Sequence, residues 1–214
     1  ILRFIATNGD NFTSLGLSTS FAHDTRNRRI FPSEGGLRRI SGEAKVPGSD
    51  LEYYKVNLAL QQFVPLTDLF VLEAKTDIGY GDGYGSFSEM PFFENFFAGG
   101  VRSVRGFEDN SLGPRDSVND PIGGNFETTG TVQLLFPPPF LTESNAVRLS
   151  LFYDIGNVFA GAGDWSGGDL RMSVGLGATW LSPVGPLALS IAQPLNDKSG
   201  DKVQQFQFTL GAGF

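Results

Sequence analysis

The chain has 214 residues, a formal net charge of -7 and no cysteine, with 28 glycines and 20 phenylalanines. The missing thiols exclude disulfide scaffolds, cysteine-ligated zinc and thiol catalysis, and the acidic balance argues against a nucleic-acid-binding face; nothing in the composition marks a linker between two domains. No stretch of about 18 apolar residues occurs, which excludes a transmembrane helix but not a membrane barrel, whose strands alternate apolar and polar residues.

Residues Ile1–Phe12 lack a period and end in the loop signal Asn8-Gly9-Asp10-Asn11. The chain begins without a methionine or a leader pattern, so a mature or trimmed fragment is expected. From Ser14 alternation sets in, with Leu15, Leu17, Thr19 and Phe21 on one face, and predicts a strand. Asp24 to Asn27 and Pro32 to Gly35 bracket a turn. Leu37–Val46 then places Arg39, Ser41, Glu43 and Lys45 opposite Ile40, Ala44 and Val46, a charged face that is either open to water or lines a wet lumen. After the Pro47-Gly48-Ser49-Asp50 turn, Tyr54, Val56, Leu58 and Leu60 alternate with Lys55, Asn57 and Gln61, and Pro65 ends the run. Leu72, Ala74, Thr76, Ile78 and Tyr80 alternate with Glu73, Lys75 and Asp77, and Gly81-Asp82-Gly83 is expected to close that strand. Strands of this length with oppositely charged residues on one face fit a large barrel better than a sandwich.

Residues 84–124 show no sustained period, which is too long for an ordinary connection in a compact domain. The segment carries Phe92, Phe93, Phe96, Phe97 and Phe107, far more aromatic surface than a solvated loop needs. It must pack against something, and the lumen of a wide barrel is the available place. Alternation resumes at Phe126–Phe136, which Pro137-Pro138-Pro139 stops. It resumes again at Val147–Ile155, where Arg148, Phe152 and Asp154 share the lumen face, and at Leu170–Trp180 and Leu187–Ala192. The last strand sets Phe206, Phe208, Leu210, Ala212 and the terminal Phe214 against Gln205, Gln207, Thr209 and two glycines, as the closing strand of an outer-membrane barrel would.

Enzyme chemistry finds no support, and no catalytic residue, cofactor or metal site is expected. His23 lies near a strand end with no serine or acid at a useful spacing and reads as a surface or interface residue. Asp77 and Asp82 lack the ligand spacing of a calcium loop and read as part of a polar turn. Gly99, Gly100 and Gly106 precede no helix and do not cradle phosphate. Val104-Arg105-Gly106-Phe107 is different. By itself it is a turn with a solvated arginine or an enclosed motif. If enclosed, Arg105 needs a carboxylate and an aromatic face, and Asp154 and Phe152 are the candidates.

Several segments carry a resemblance. They are Pro47-Gly48-Ser49-Asp50-Leu51-Glu52-Tyr53-Tyr54-Lys55-Val56, Glu89-Met90-Pro91-Phe92 leading to the Val104–Phe107 tetrad, and Phe152-Tyr153-Asp154-Ile155-Gly156. Ser182-Pro183-Val184-Gly185-Pro186-Leu187, Gln193-Pro194 and Gln205-Phe206-Gln207-Phe208 complete the set. In this order, and over nearly the whole chain, the sequence resembles the C-terminal part of the BamA family of bacterial outer-membrane barrel-assembly proteins. The resemblance implies an all-β, transmembrane, antiparallel up-and-down β-barrel, here a C-terminal fragment of about nine strands with a long loop folded into the lumen. Residues 1–214 would be one portion of that barrel, starting in an extracellular loop and without the family's periplasmic POTRA domains. Arg105 of the lumen loop would pair with Asp154, while the family's second carboxylate position falls on Gln133, a neutral amide. Gly211 would let the last strand, with Phe214, bend at a lateral seam.

The implied function is that of an outer-membrane assembly factor, an insertase that folds and inserts β-barrel proteins without ATP. Its expected partners are outer-membrane lipid, nascent β-barrel proteins and, through the full-length protein, assembly-machinery lipoproteins; nucleic acid is not among them. A homodimer of the fragment and closure of a single copy are both open, since an odd strand count is unusual for a bacterial barrel. Related autotransporter-assembly and two-partner secretion transporters share the tetrad, although Glu89-Met90-Pro91-Phe92 favours BamA. A passive porin-like channel or a soluble ligand-binding barrel would also account for the alternation.

Overall fold

The computed structural model describes residues 11–87, 90–139, 146–183 and 185–211. Its strands in chain order are β1 (Gly16–Asp24), β2 (Gly35–Lys45), β3 (Tyr53–Pro65), β4 (Val71–Gly83), β5 (Gly106–Phe107) and β6 (Phe126–Phe136). They continue with β7 (Val147–Phe159), β8 (Arg171–Ser182), β9 (Gly185–Pro194), β10 (Val203–Gln204) and β11 (Phe206–Leu210). Nine of these form one up-and-down antiparallel sheet in the order β1-β2-β3-β4-β6-β7-β8-β9-β11, and the two-residue β5 and β10 pair with each other. The expected succession of strands is therefore present, but among the described residues the sheet stays open, with β1 and β11 as its edges.

The polarity of the sheet is inverted relative to a soluble domain. Leu17 is 73 % exposed and Leu176 62 %, while Asp154 and Ser173 on the other face are fully buried. Apolar side chains turned outward and polar ones turned inward are the signature of a strand wall facing lipid. The longest strands, β3, β4 and β7, have 13 residues each, enough to cross a bilayer at the usual tilt, which takes about 9–11 residues. Because the strands alternate in direction, the connections 25–34 and 66–70 lie at one end and 46–52, 160–170 and the long loop after β4 lie at the other.

The long loop folds back onto the inner face and brings its own apolar cluster. Met90, Phe96, Ala98, Val104, Phe107 and Leu112 pack with Leu51, Tyr53 and Val158, at the loop-side ends of the wall. Phe96 and Gly124 exchange backbone hydrogen bonds of 2.8 and 3.0 Å, and the Leu112 N–H donates to Ala98 at 3.0 Å, so the loop is also tied to itself. Of its phenylalanines, Phe96 and Phe107 are buried, whereas Phe93 is exposed and meets the Phe92 ring edge-on.

β4 ends at Gly83, as the sequence reading expects, and Gly81-Asp82-Gly83 are its last paired residues, opposite Lys55, Tyr54 and Tyr53. Gly79 and Gly81 also serve the loop. A Cβ at Gly79 would stand 2.6 Å from the Phe96 ring and one at Gly81 2.5 Å from the Met90 sulfur. Only a bare backbone lets the loop lie this close to the wall. Asp77 and Asp82 consequently sit within a strand rather than in a turn, and Asp77 pairs with Lys75 at 3.0 Å.

Candidate functional site

Arg105 is aimed by the backbone that follows it. Gly106 holds φ +91°, a conformation glycine adopts without strain, and a Cβ there would meet the Ala192 methyl at 3.2 Å. Its N–H donates to Gln207 Oε1 at 3.3 Å, and Gln207 Nε2 donates to the Phe107 carbonyl at 2.6 Å. Gly106 and Phe107 also pair in register with Gln204 and Val203. The tetrad is thus attached to the last part of the chain, roughly a hundred residues away in sequence.

The Arg105 side chain then reaches Asp154. Nε donates to Oδ2 at 2.7 Å and Nη2 to Oδ1 at 2.8 Å, a bidentate pair, and the Arg105 N–H adds a bond to Oδ2 at 3.0 Å. Thr131 Oγ1 donates to Oδ1 at 2.8 Å. These donors fill the lone-pair positions that an ionised carboxylate offers. Asp154 is fully buried and the Arg105 side chain 15 % exposed, so the pair is largely desolvated and depends on its geometry. The Arg105 guanidinium carbon sits 3.3 Å from the centroid of the Phe152 ring, close enough for a cation–π contribution. Phe152 has room here because Gly175 faces it; a Cβ at Gly175 would fall 2.5 Å from the ring's Cζ and 2.2 Å from the Ile191 carbonyl oxygen.

Gln133, at the position where the resemblance implies an acid, accepts from Arg105 Nη1 at 3.4 Å through Oε1 and donates to Glu73 Oε2 at 2.7 Å through Nε2. The structure thus brings Val104, Arg105, Gly106, Phe107, Gln133, Phe152 and Asp154 together. Sequence reasoning did not single out Thr131, Gly175, Gln207 or Glu73. Alternation placed Glu73 on one face with Lys75 and Asp77, but only the strand register, with Glu73 opposite Gln133, Gln133 opposite Phe152 and Thr131 opposite Asp154, shows that Glu73 and Thr131 stand level with the arginine.

The base of the loop has a second fixing point. The Glu52 carboxylate accepts from the Gly48 N–H at 2.9 Å and from the Ser86 N–H and hydroxyl at 2.7 and 2.8 Å. These donors, led by Gly48, hold its carboxyl below the usual carboxylate range. Between the loop and the wall lies a cavity of about 480 Å³ whose lining includes Lys75, Asp77, Arg102, Asp109 and Glu127. At the far end of the chain, Gly211 takes φ +74°, a Cβ there would meet no atom within 4 Å, and its N–H donates to the Pro186 carbonyl at 2.8 Å. Phe214, Ala212 and Glu89 lie outside the described residues.

Residues 3–214 match the Omp85 superfamily domain. The outer membrane protein assembly factor BamA of Neisseria meningitidis serogroup B is 38 % identical over 213 residues, covering 86 % of this chain and 27 % of that protein. The sorting and assembly machinery component 50 homolog A of Xenopus laevis is 32 % identical over 215 residues, covering 92 % of this chain and 45 % of that protein. The crystal structure of BamA from Haemophilus ducreyi lacking POTRA domains 1-3 matches with a TM-score of 0.87 at 28 % identity, over 97 % of this chain and 46 % of that one. The chain therefore spans less than half the length of each of these proteins. On the match over residues 3–214 and the barrel-like sheet, this chain belongs to the Omp85 superfamily.

Proposed function

We propose that residues 1–214 form the C-terminal part of the barrel of a bacterial outer-membrane protein assembly factor, and that the parent protein folds and inserts nascent β-barrel proteins into that membrane. The observation that carries this reading is the Arg105–Asp154 clamp, which holds a loop from one end of the strands deep against the inner wall. The named relatives are assembly factors, and the reading extends their activity to the parent of this chain. POTRA domains in the preceding part of the parent and lipoproteins bound to it would complete the machine.

The chemistry needed is hydrogen bonding and burial, with no covalent step and no ATP. Among the described residues β11 pairs with β9 alone and its other backbone edge has no strand beside it, while Phe206, Phe208 and Leu210 present an apolar outer face. Such an edge adds an incoming strand by β-augmentation, and lipid receives the new strand's apolar side chains. Gly211, and Phe214 beyond it, would shape this lateral seam, because a residue at φ +74° turns the strand end where most side chains are strained. Arg105 keeps the loop within the lumen while the seam works.

The test is Arg105→Ala in the full-length protein, reconstituted in vesicles of bacterial outer-membrane phospholipid with a small substrate barrel. The expected result is a fall of about tenfold or more in the rate of substrate insertion, with the variant still folded. Insertion at the wild-type rate would refute the assignment of the anchor to assembly.

A further inference from the structure

The inner wall holds a buried acid that does not touch the clamp. Glu73 of β4 is 6 % exposed, and both its oxygens are met by amides. Gln133 Nε2 donates to Oε2 at 2.7 Å and Gln61 Nε2 donates to Oε1 at 2.7 Å. Each amide then turns its carbonyl to a guanidinium: Gln133 Oε1 accepts from Arg105 Nη1 at 3.4 Å and Gln61 Oε1 from Arg26 Nη1 at 3.5 Å. This is the orientation of the two amides that makes every contact a donor meeting an acceptor. The chain of contacts thus runs arginine, amide, carboxylate, amide, arginine across β3, β4 and β6.

The charges around it agree. A cavity of about 410 Å³ beneath the clamp has Arg26, Arg29, Arg105 and Arg148 among its lining residues, and Glu73 is the one carboxylate lining it among the described residues. A buried carboxylate is costly unless it is hydrogen-bonded and offset by positive charge. Here the offset is delivered through amides. A negative charge at the Nε2 end of Gln133 pushes electron density toward Oε1 and makes it a better acceptor for Arg105.

We propose that Glu73 is the second acidic partner of the loop anchor, a positioning residue that acts on Arg105 through the Gln133 amide and so replaces, one strand over, the acid expected at position 133. The same carboxylate acts through Gln61 on Arg26, whose guanidinium is also held by Asp24 at 2.9 and 2.8 Å. The loop tip and the 25–34 turn at the opposite end of the strands are therefore linked through one charge. The role of the anchor in assembly is the reading given above; the position of the loop is measured separately here.

Because Glu73 and Gln133 stand directly opposite each other in the β4–β6 register, their side chains exchange with little change in volume. The full-length protein, with any cysteine outside residues 1–214 replaced by serine, carries Val101→Cys as a reporter, since Val101 lines this cavity. The rate of maleimide labelling in folded protein then reads release of the loop. Glu73→Gln is expected to raise that rate about fivefold to tenfold, the scale of one charge-assisted hydrogen bond weakened by relay. Glu73→Gln with Gln133→Glu is expected to restore it to within about twofold of wild type, because the charge returns to a position that faces Arg105 directly. Gln133→Glu alone sets two carboxylates side by side, so its labelling rate should vary with pH where that of wild type is flat. Wild-type labelling in Glu73→Gln, or a double variant that labels as fast as Glu73→Gln, overturns the proposal. If Glu73→Gln fails to reach its folded, heat-modifiable form, the double variant decides: folding with wild-type labelling supports the relay and failure to fold overturns it. Labelling that follows these expectations while substrate insertion is unaffected would sink the functional reading and leave the relay standing.

Discussion

Asp154→Asn tests the clamp with almost no change of shape. In the native site both carboxylate oxygens accept, Oδ2 from the Arg105 N–H and Nε and Oδ1 from Nη2 and Thr131. An asparagine has one accepting oxygen and an NH2 group that would face donors, so either two arginine bonds or the third arginine bond and the threonine bond are lost. Removing one partner of a buried pair costs about 3–5 kcal/mol, because the remaining charge stays desolvated. That corresponds to an opening equilibrium of the loop shifted by about a hundredfold or more. The assay is trypsin cleavage after Arg102, a site that every variant keeps, in the folded full-length protein in detergent under conditions where cleavage follows opening. Arg105→Ala should cost a similar amount, and the double variant Arg105→Ala/Asp154→Asn should open no more than either single variant, since it leaves no orphaned charge. Additive effects of the two substitutions would show that Arg105 and Asp154 act independently and would refute the reasoning.

Gly175→Val should release the same loop by another route, since its side chain needs the space of the Phe152 ring and of the Ile191 carbonyl. Overpacking of this kind costs about 1–3 kcal/mol, read as a lower unfolding temperature and faster trypsin cleavage, and a native-like cleavage rate would exclude the packing argument. Glu52 gives a dependence on acid. Its carboxyl is held below the ordinary range in the folded protein, so its stabilisation is fully present above the unfolded value of about 4.3 and is lost as pH falls through the lower folded value. Hydrogen exchange at the Gly48 and Ser86 amides, corrected for intrinsic rates, should therefore accelerate in strong acid. Glu52→Gln should make it faster at neutral pH and flatten the profile; unchanged protection in the variant would rule out the carboxylate as the tie.

The wall was legible in the sequence because a strand with lipid on one side and a wet interior on the other writes its two environments into alternate residues. Val56, Leu58 and Leu60 against Lys55, Asn57 and Gln61 were enough to place β3, and the same reading found each of the other long strands. What it did not show is why Gly79 and Gly81 are glycines, because a glycine required by a neighbour's approach looks the same in sequence as one that ends a strand. The pairing of Arg105 with Asp154 was not derivable from periodicity, which says which face a residue takes but not its height along the wall. Enclosure and the shared lumen face made Asp154 a candidate, and the resemblance implied the same partner. Glu73 shows the limit of both: it was placed on the correct face, yet its connection to Arg105 depends on the register of β4 against β6 and on a glutamine whose two ends face different charges.

Two kinds of contact hold the loop, and they lie at different heights. At the outer end of the strands, Met90, Phe96 and Leu112 pack against Tyr53 and Val158, and burial keeps the loop from leaving. That contact is non-directional and tolerates sliding. Deeper in, the tip is held by bonds with angles: Arg105 to Asp154, Gly106 and Phe107 to Gln207, and Gln133 to Glu73. The apolar cluster therefore retains the loop and the polar contacts aim its tip. It follows that breaking the clamp should free the residues around Arg105 while Phe96 and Met90 remain in place, and that Gln207, one residue along from the outward Phe206, ties the tip to the strand whose edge is open.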